Sequence, residues 1–445
     1  MFPRWREWGA CWAGILMLAC GQADRPAGSA PQEVAPQNPA ASLVEPVPDP
    51  TPSEPPSLPV PPPAGVRGLW VLAEGSQRIL ENSGKTEQLV DEALALGATD
   101  LFVQVYRGGR AWYEAEQADA SPYRGLIAEN GEDTLRLLLE RAHGAGIRVH
   151  GWVNVLSLST NTQAPILEEL GPDAVLVDRF GRSVLEYPNL ELPDPDRQWY
   201  RMGTRGVYLD AGGPGVRDRL VEVFAELIER YPTLDGLHLD YIRHPGALPF
   251  VPGSRFGVGL DFGYGPATQE RFRRETGLRG PYRDPEAPDP TRLVNTTAWD
   301  NWRRDQVTAL VREIGETTRA LKPTLILSAA VNSYTDRAYL SLAQDWLRWL
   351  EEDLIDWAIP MAYTRDDRLL RYQLEDFAHR PHGDRIVPGL GVWLFAKEPA
   401  RALAQVRIAE EAGLPGEVLF SYDSIKDAPA LQAALGRAGE PSPSP

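Results

Sequence analysis

The sequence predicts an α/β fold, a (β/α)8 barrel with long insertions after strands three and four. Three observations predict it. Eight short apolar runs alternate with amphipathic stretches, the stretches carry helix-ending glycines, and no second block of strands or helices asks for another domain. The strand runs are VRGLWVL, DLFVQVY, RVHGWVNV, DGLHLDYI, LILSAAV, DLIDWAIPMAY, RIVPGLGVW and GEVLFSY. Between them lie helical patterns such as TEQLVDEALALG, DTLRLLLERAHGAG and ARALAQVRIAEEAG, several closed by a glycine suited to a left-handed C-cap. An open doubly wound sheet is the structural alternative, but no GxGxxG follows the first strand. The connections at 156–205 and 246–297 are the two insertions, and GVYLD closes the first of them.

The barrel occupies residues 65–435. Residues 1–19 carry Arg4 and Arg6 ahead of an apolar stretch too short to span a bilayer, the pattern of an export signal. That stretch ends MLAC, which resembles a bacterial lipobox with Cys20 as the lipidated residue, although Met17 stands where Leu is usual; ordinary cleavage nearby is the alternative. Gly21 rather than Asp after Cys20 favours the outer membrane in a cell with two membranes. Residues 20–64, rich in Pro, Ala, Ser and Glu, read as a disordered tether of ~3 Å per residue where polyproline-like, and 436–445 as a disordered tail. The expected location is therefore the cell envelope, with membrane contact through the lipid alone.

Composition removes several function classes. A net charge of −17 and the lack of a Lys/Arg run argue against a nucleic-acid partner. Both cysteines, Cys11 and Cys20, sit in the leader, so the folded part has no disulfide framework and no thiolate nucleophile. The six histidines form neither HxH nor HExxH, so no metal and no cofactor is expected.

Alternation of faces then selects candidate site residues, because barrel active sites sit where strands end at the C-terminal face. Strand two turns Phe102, Gln104 and Tyr106 inward, strand three His150, Trp152 and Asn154, strand four His238 and Asp240, and strand five Ser328, Ala330 and Asn332. Strand six offers Met361 and Tyr363, strand seven Trp393, and strand eight Tyr422 or Asp423. Asp240 is the leading catalytic candidate, since burial beside His238 and Tyr241 tunes a carboxyl for acid, base or nucleophilic work. A structural pairing with Arg243 is the plainer alternative. Gln104, His150, Asn154, His238, Tyr241, Asn332, Tyr363, Trp393 and Tyr422 are the substrate-binding candidates, the aromatic ones by stacking on sugar faces. Trp302, Trp346 and Trp349, at helical spacing among charges, belong to packing outside the barrel.

The motifs RGLWV, FVQVYRGGRAWY, HGWVNV, YLDAGGPGVR, DGLHLDYIRHP and PMAYT, in this order, resemble the glycosyl hydrolase-like family 10 of bacteria, a group that includes envelope lipoproteins acting on peptidoglycan glycans. The resemblance implies a (β/α)8 barrel and hydrolysis of a β-linked glycan, such as peptidoglycan stripped of its peptides. Relatives often carry an acid in the loop after strand two, where this chain has Arg110; either another acid serves, with Glu114 close by, or the enzyme is weak. Glycoside hydrolysis ordinarily needs two carboxyls. The second is Asp210, Asp366, Glu114 or Asp423, with Asp210 favoured because YLDAGG belongs to the matched set, although an acid before AGGPG equally suits a turn or cap. A tethered glycan-binding barrel without turnover is the rival reading, and a metal-dependent deacetylase the third.

Overall fold

The computed structural model describes residues 59–187, 201–202, 206–248, 261–289 and 292–437. The signal segment, Cys20, the tether through residue 58 and the tail after residue 437 lie outside the described residues.

Eight parallel strands close on themselves. They are β1 (Val66–Val71), β2 (Asp100–Arg107), β3 (Arg148–Asn154), β4 (Gly236–Asp240), β5 (Ile326–Asn332), β6 (Trp357–Met361), β7 (Gly389–Leu390) and β8 (Gly416–Phe420). Each pairs with the next in sequence, and β8 returns to β1, which leaves no open sheet edge among them. The alternating helices are α1 (Ser83–Ala95), α2 (Thr134–Gly144), α3 (Val216–Arg230), α4 (Thr296–Leu321), α5 (Trp346–Glu351), α6 (Asp367–Ala378), α7 (Pro399–Glu411) and α8 (Pro429–Arg437). The predicted (β/α)8 barrel is therefore the fold. Helix ends follow local chemistry: the side chains of Asn82 and Asp133 accept backbone N–H groups at the starts of α1 and α2, and Gly97 and Gly146 take left-handed φ of 69° and 76° just beyond their ends.

Both expected insertions are present, between β3 and α3 and between β4 and α4. They hold each other: Arg201–Met202 pairs antiparallel with Ala247–Leu248, and Asp178 bridges Phe262. A separate aromatic cluster of Tyr264, Phe272, Tyr282, Trp299 and Trp302 packs the second insertion against the start of α4. Trp346 and Trp349 are buried behind the barrel wall, as their spacing implies.

The barrel interior is aromatic. Trp70, Phe102, Trp152, Trp357, Ile359 and Val418 fill it, and glycines on facing strands make room: a Cβ at Gly389 would stand 2.6 Å from the Trp70 ring, one at Gly236 2.2 Å from His150. Alternation places Phe102 and Gln104 inward as expected, but not Tyr106. The β2–β3 ladder skips a residue between Gln104 and Tyr106, and this bulge turns Tyr106 out to meet Phe224 of α3, with ring centroids 5.5 Å apart.

Beneath the aromatic layer lies a buried polar floor. Asp100, fully buried, accepts two hydrogen bonds from Arg148, both 2.7 Å, and pairs with Nε2 of His150 at 2.9 Å. Burial pushes this carboxyl up, but His150 and Arg148 outweigh it and hold the group at about 2. At the same end, Val60 donates its N–H to Asp356 (2.9 Å) and accepts from the Trp357 indole (2.8 Å), so the incoming chain docks under the floor.

Because the Asp100 pKa is depressed, its contribution to stability is present above the ordinary carboxylate range near 4 and is lost as pH falls toward 2. Asp100→Ala removes the carboxylate partner of the Arg148 guanidinium and of the buried His150 ring and is expected to cost about 3–5 kcal/mol at neutral pH, measured by urea unfolding. A loss below about 1 kcal/mol would show that the floor is not held by this cluster.

Candidate active site

At the C-terminal ends of the strands the barrel opens into a cavity of about 360 Å³. Its base is aromatic and apolar, from Trp70, Trp152, Tyr363 and Phe420, and its polar groups are Glu74, Gln104, Arg107, Asn154, Asp240 and Arg243. These groups come from β1 to β4 and the loops that follow them. The Gln104 amide donates to the Asn154 side chain at 3.3 Å and accepts from the Ala73 N–H at 3.4 Å, tying three strand ends together.

Asp240 is the last residue of β4 and is 7% exposed. One carboxylate oxygen accepts the Tyr241 N–H at 2.6 Å, and the other accepts the Trp152 indole N–H at 3.2 Å. The first bond depends on an unusual backbone. Tyr241 sits at φ 52°, left-handed for a bulky residue, which turns its amide back onto the carboxylate that precedes it. Burial pushes the Asp240 pKa up to about 6, against the opposing pull of Arg243, the Tyr241 amide and Trp152. Arg243 itself lies over the Tyr241 ring at 5.0 Å and donates to the His244 carbonyl. Tyr363 borders the same space, and its phenol is held far above its ordinary value by burial and by the neighbouring Asp240 and Tyr241.

The second carboxyl of the cavity is Glu74, which strand-based reasoning passed over. It stands three residues beyond β1, paired with Arg107 at 2.6 Å and Arg110 at 3.2 Å. Arg110 thus faces an acid supplied from the loop after β1. Asp423 fixes that loop: its carboxylate accepts the N–H groups of Leu72 (3.4 Å) and Gln77 (3.0 Å), and a Cβ at Gly75 would fall 1.9 Å from it. The available signal was the acid in LAEG directly after a strand end, the same criterion that singled out Asp366.

Of the other candidates, Gln104, Asn154, Tyr241 and Tyr363 share the cavity with Asp240. The rest stand elsewhere, each for a physical reason. Asp210 is buried, accepting the Thr268 hydroxyl (2.7 Å) and the Gly212 N–H (2.8 Å), so it shapes the turn before α3. Asp366 caps α6 through the amides of Arg368 and Leu369. Glu114 is exposed outside the barrel and pairs with Arg230 at 3.0 Å. His150 and His238 do point inward, but one or two layers too deep. His150 belongs to the floor with Asp100, under a stacked Phe102 ring at 4.5 Å. His238 accepts the Trp70 indole N–H at 3.0 Å, so its Nδ1 carries the proton donated to Ser328 at 2.9 Å; burial drives its pKa well below the usual value and keeps it neutral.

Asn332 forms a local turn with the Tyr334 amide. Trp393 is 46% exposed on a 3-10 turn, because β7 stops at Leu390. Tyr422 lies past the end of β8 and turns outward to Glu92 of α1, leaving Phe420 as the inward aromatic. Among the described residues, no group of three or more His, Cys, Asp or Glu is arranged to hold a metal ion.

A carboxyl raised from 3.8 to about 6 favours the protonated folded state, so its cost to stability is absent below pH 4 and complete above pH 6. The stability of Asp240→Asn relative to the wild type is therefore expected to rise by up to about 3 kcal/mol between pH 4 and pH 7. Paired urea titrations across that range measure it; a difference that stays flat with pH would contradict the raised pKa.

Residues 65–380 match the family described as Glycosyl hydrolase-like 10. The chain is 24% identical over 355 residues to the glycosyl hydrolase DigH of Escherichia coli K12, covering 70% of this chain and 71% of that protein. It is 23% identical over 311 residues to the glycosyl hydrolase YngK of Bacillus subtilis 168, covering 66% of this chain and 51% of that one. In three dimensions it resembles the glycoside hydrolase domain of PgaB (BpsB) from Bordetella bronchiseptica, with TM-score 0.54 and 14% identity over 83% of this chain and 99% of that domain, a likeness of fold. With most of the barrel inside the matched span, the chain belongs to the glycosyl hydrolase-like 10 family.

Proposed function

We propose that this protein hydrolyses the glycosidic bonds of a β-linked glycan, peptidoglycan strands freed of their peptides being the substrate class we favour, with Asp240 as general acid. The observation that carries the reading is Asp240 itself: a carboxyl at the opening of a cavity, held near pKa 6 by burial, so that it keeps a proton where an ordinary aspartate has lost it. The proton passes to the leaving glycosidic oxygen as its bond to the anomeric carbon breaks. Glu74 is the second carboxylate, aimed by Arg107 and Arg110 and serving the incoming water as base. The partly exposed rings of Tyr363 and Phe420 supply faces for sugar C–H surfaces, over the buried Trp70 and Trp152, while Gln104 and Asn154 offer hydrogen bonds to hydroxyl and amide substituents.

We place the protein in the cell envelope, exported by its leader and lipidated at Cys20. No described helix is long and apolar enough to cross a membrane. Val60 docks at the barrel end opposite Asp240.

One observation favours the rival reading of a binding barrel without turnover: Glu74 is engaged by two guanidiniums. Purified peptide-free glycan strands separate the two. Release of reducing ends by the wild type, reduced by about 10²-fold or more in Asp240→Asn and falling as pH rises through 6, is the expected result. Strand binding by both proteins with no new ends from either would leave the binding module standing.

A further inference from the structure

Beside the mouth lies a second hollow of about 460 Å³, and the two share Glu74 as a common wall. One bank is the loop after β1, with Arg78; the base holds Trp112, under the Arg110 guanidinium at 5.7 Å. The other bank is a helix at Ser121–Asn130 that the eightfold barrel plan does not require, inserted between β2 and α2. None of its residues is buried. Leu126 packs partly buried against the core and anchors the helix, but so little burial leaves room for a further role, and the groove it borders is one. The charged groups of the lining have both signs, Arg78 and Arg110 among Glu74, Glu81 and Glu129, so it offers cations to the carboxylates of a peptide-free strand and acceptors to the hydroxyls and amides of its sugars.

We propose that this groove holds the sugar units flanking the one in the mouth, so that a strand lies across Glu74 and internal bonds are cut. The inference rests on the glycosidase reading above and adds an endo-acting mode to it. The occupant is a polysaccharide several units long, and short oligosaccharides are correspondingly poor substrates.

Gly125 offers a direct test. It lies inside the exposed helix, lines the groove, and a Cβ there meets nothing within 4 Å, so a side chain starts from Gly125 without a clash and Gly125→Tyr adds bulk at the groove wall. The ratio of kcat/KM on long peptide-free strands to that on a short oligosaccharide is expected to fall about tenfold in Gly125→Tyr. Arg124→Tyr, on the same helix but off the groove, should keep the wild-type ratio. Equal loss on long and short substrates, or no loss on either, would overturn the groove as a subsite.

Calorimetric binding of long strands judges the groove even if the wild type proves not to hydrolyse them, an outcome that would instead defeat the glycosidase reading. Affinity about tenfold weaker in Gly125→Tyr supports the inference. Equal affinity in variant and wild type, or no binding by the wild type, overturns it.

Discussion

A carboxylate placed at the end of a barrel strand, over a floor of aromatic rings, loses much of its water, and this desolvation of Asp240 is the constraint on which the rest of the site depends. The compensation is partial. Two N–H donors, from the Tyr241 backbone and the Trp152 indole, reach its two oxygens. Full compensation by a close guanidinium would have produced an ordinary ionised aspartate. Arg243 is instead drawn over the Tyr241 ring and toward a backbone carbonyl, so it acts on Asp240 through space rather than through contact.

The same economy runs through the barrel as a whole. Charge is handled in two ways at its two ends. On the floor, Asp100 is saturated by Arg148 and His150 and its pKa is depressed, the pattern of a structural cluster. At the mouth, Asp240 is under-compensated and its pKa is raised, the pattern expected where a proton is to be moved. Between them a layer of Trp70, Phe102 and Trp152 keeps the two environments apart, and His238, neutral between Trp70 and Ser328, passes through that layer as a packing residue. The mouth also carries strain: the left-handed Tyr241 costs free energy that the surrounding barrel supplies, and it orients the amide that meets the acid.

The barrel was legible because its signals are local. Period-two runs punctuated by Gly and Pro mark strands whatever surrounds them, and the acid at the end of DGLHLD could be placed by counting alternate residues. What counting does not give is depth or interruption. His150 and His238 share a face with Asn154 and Asp240 but lie below the cavity. A single bulge reverses Tyr106, and a two-residue β7 leaves Trp393 beyond the strand altogether. Acids after strands were ambiguous for a further reason: caps, turns and catalytic sites all favour Asp at the same places, which is why Asp210 and Asp366 resembled site residues. Glu74 carries the local signal of an acid just past a strand end, but what holds its loop at the cavity is Asp423, about 350 residues away in sequence, a contact that no local pattern records.

The most direct test of this account is a ¹³C NMR titration of the Asp240 side-chain carboxyl in the intact barrel. A midpoint near pH 6 is the predicted result. A midpoint close to 4, the value of a solvated aspartate, would contradict the desolvated acid and remove the basis for assigning it the proton-donor role.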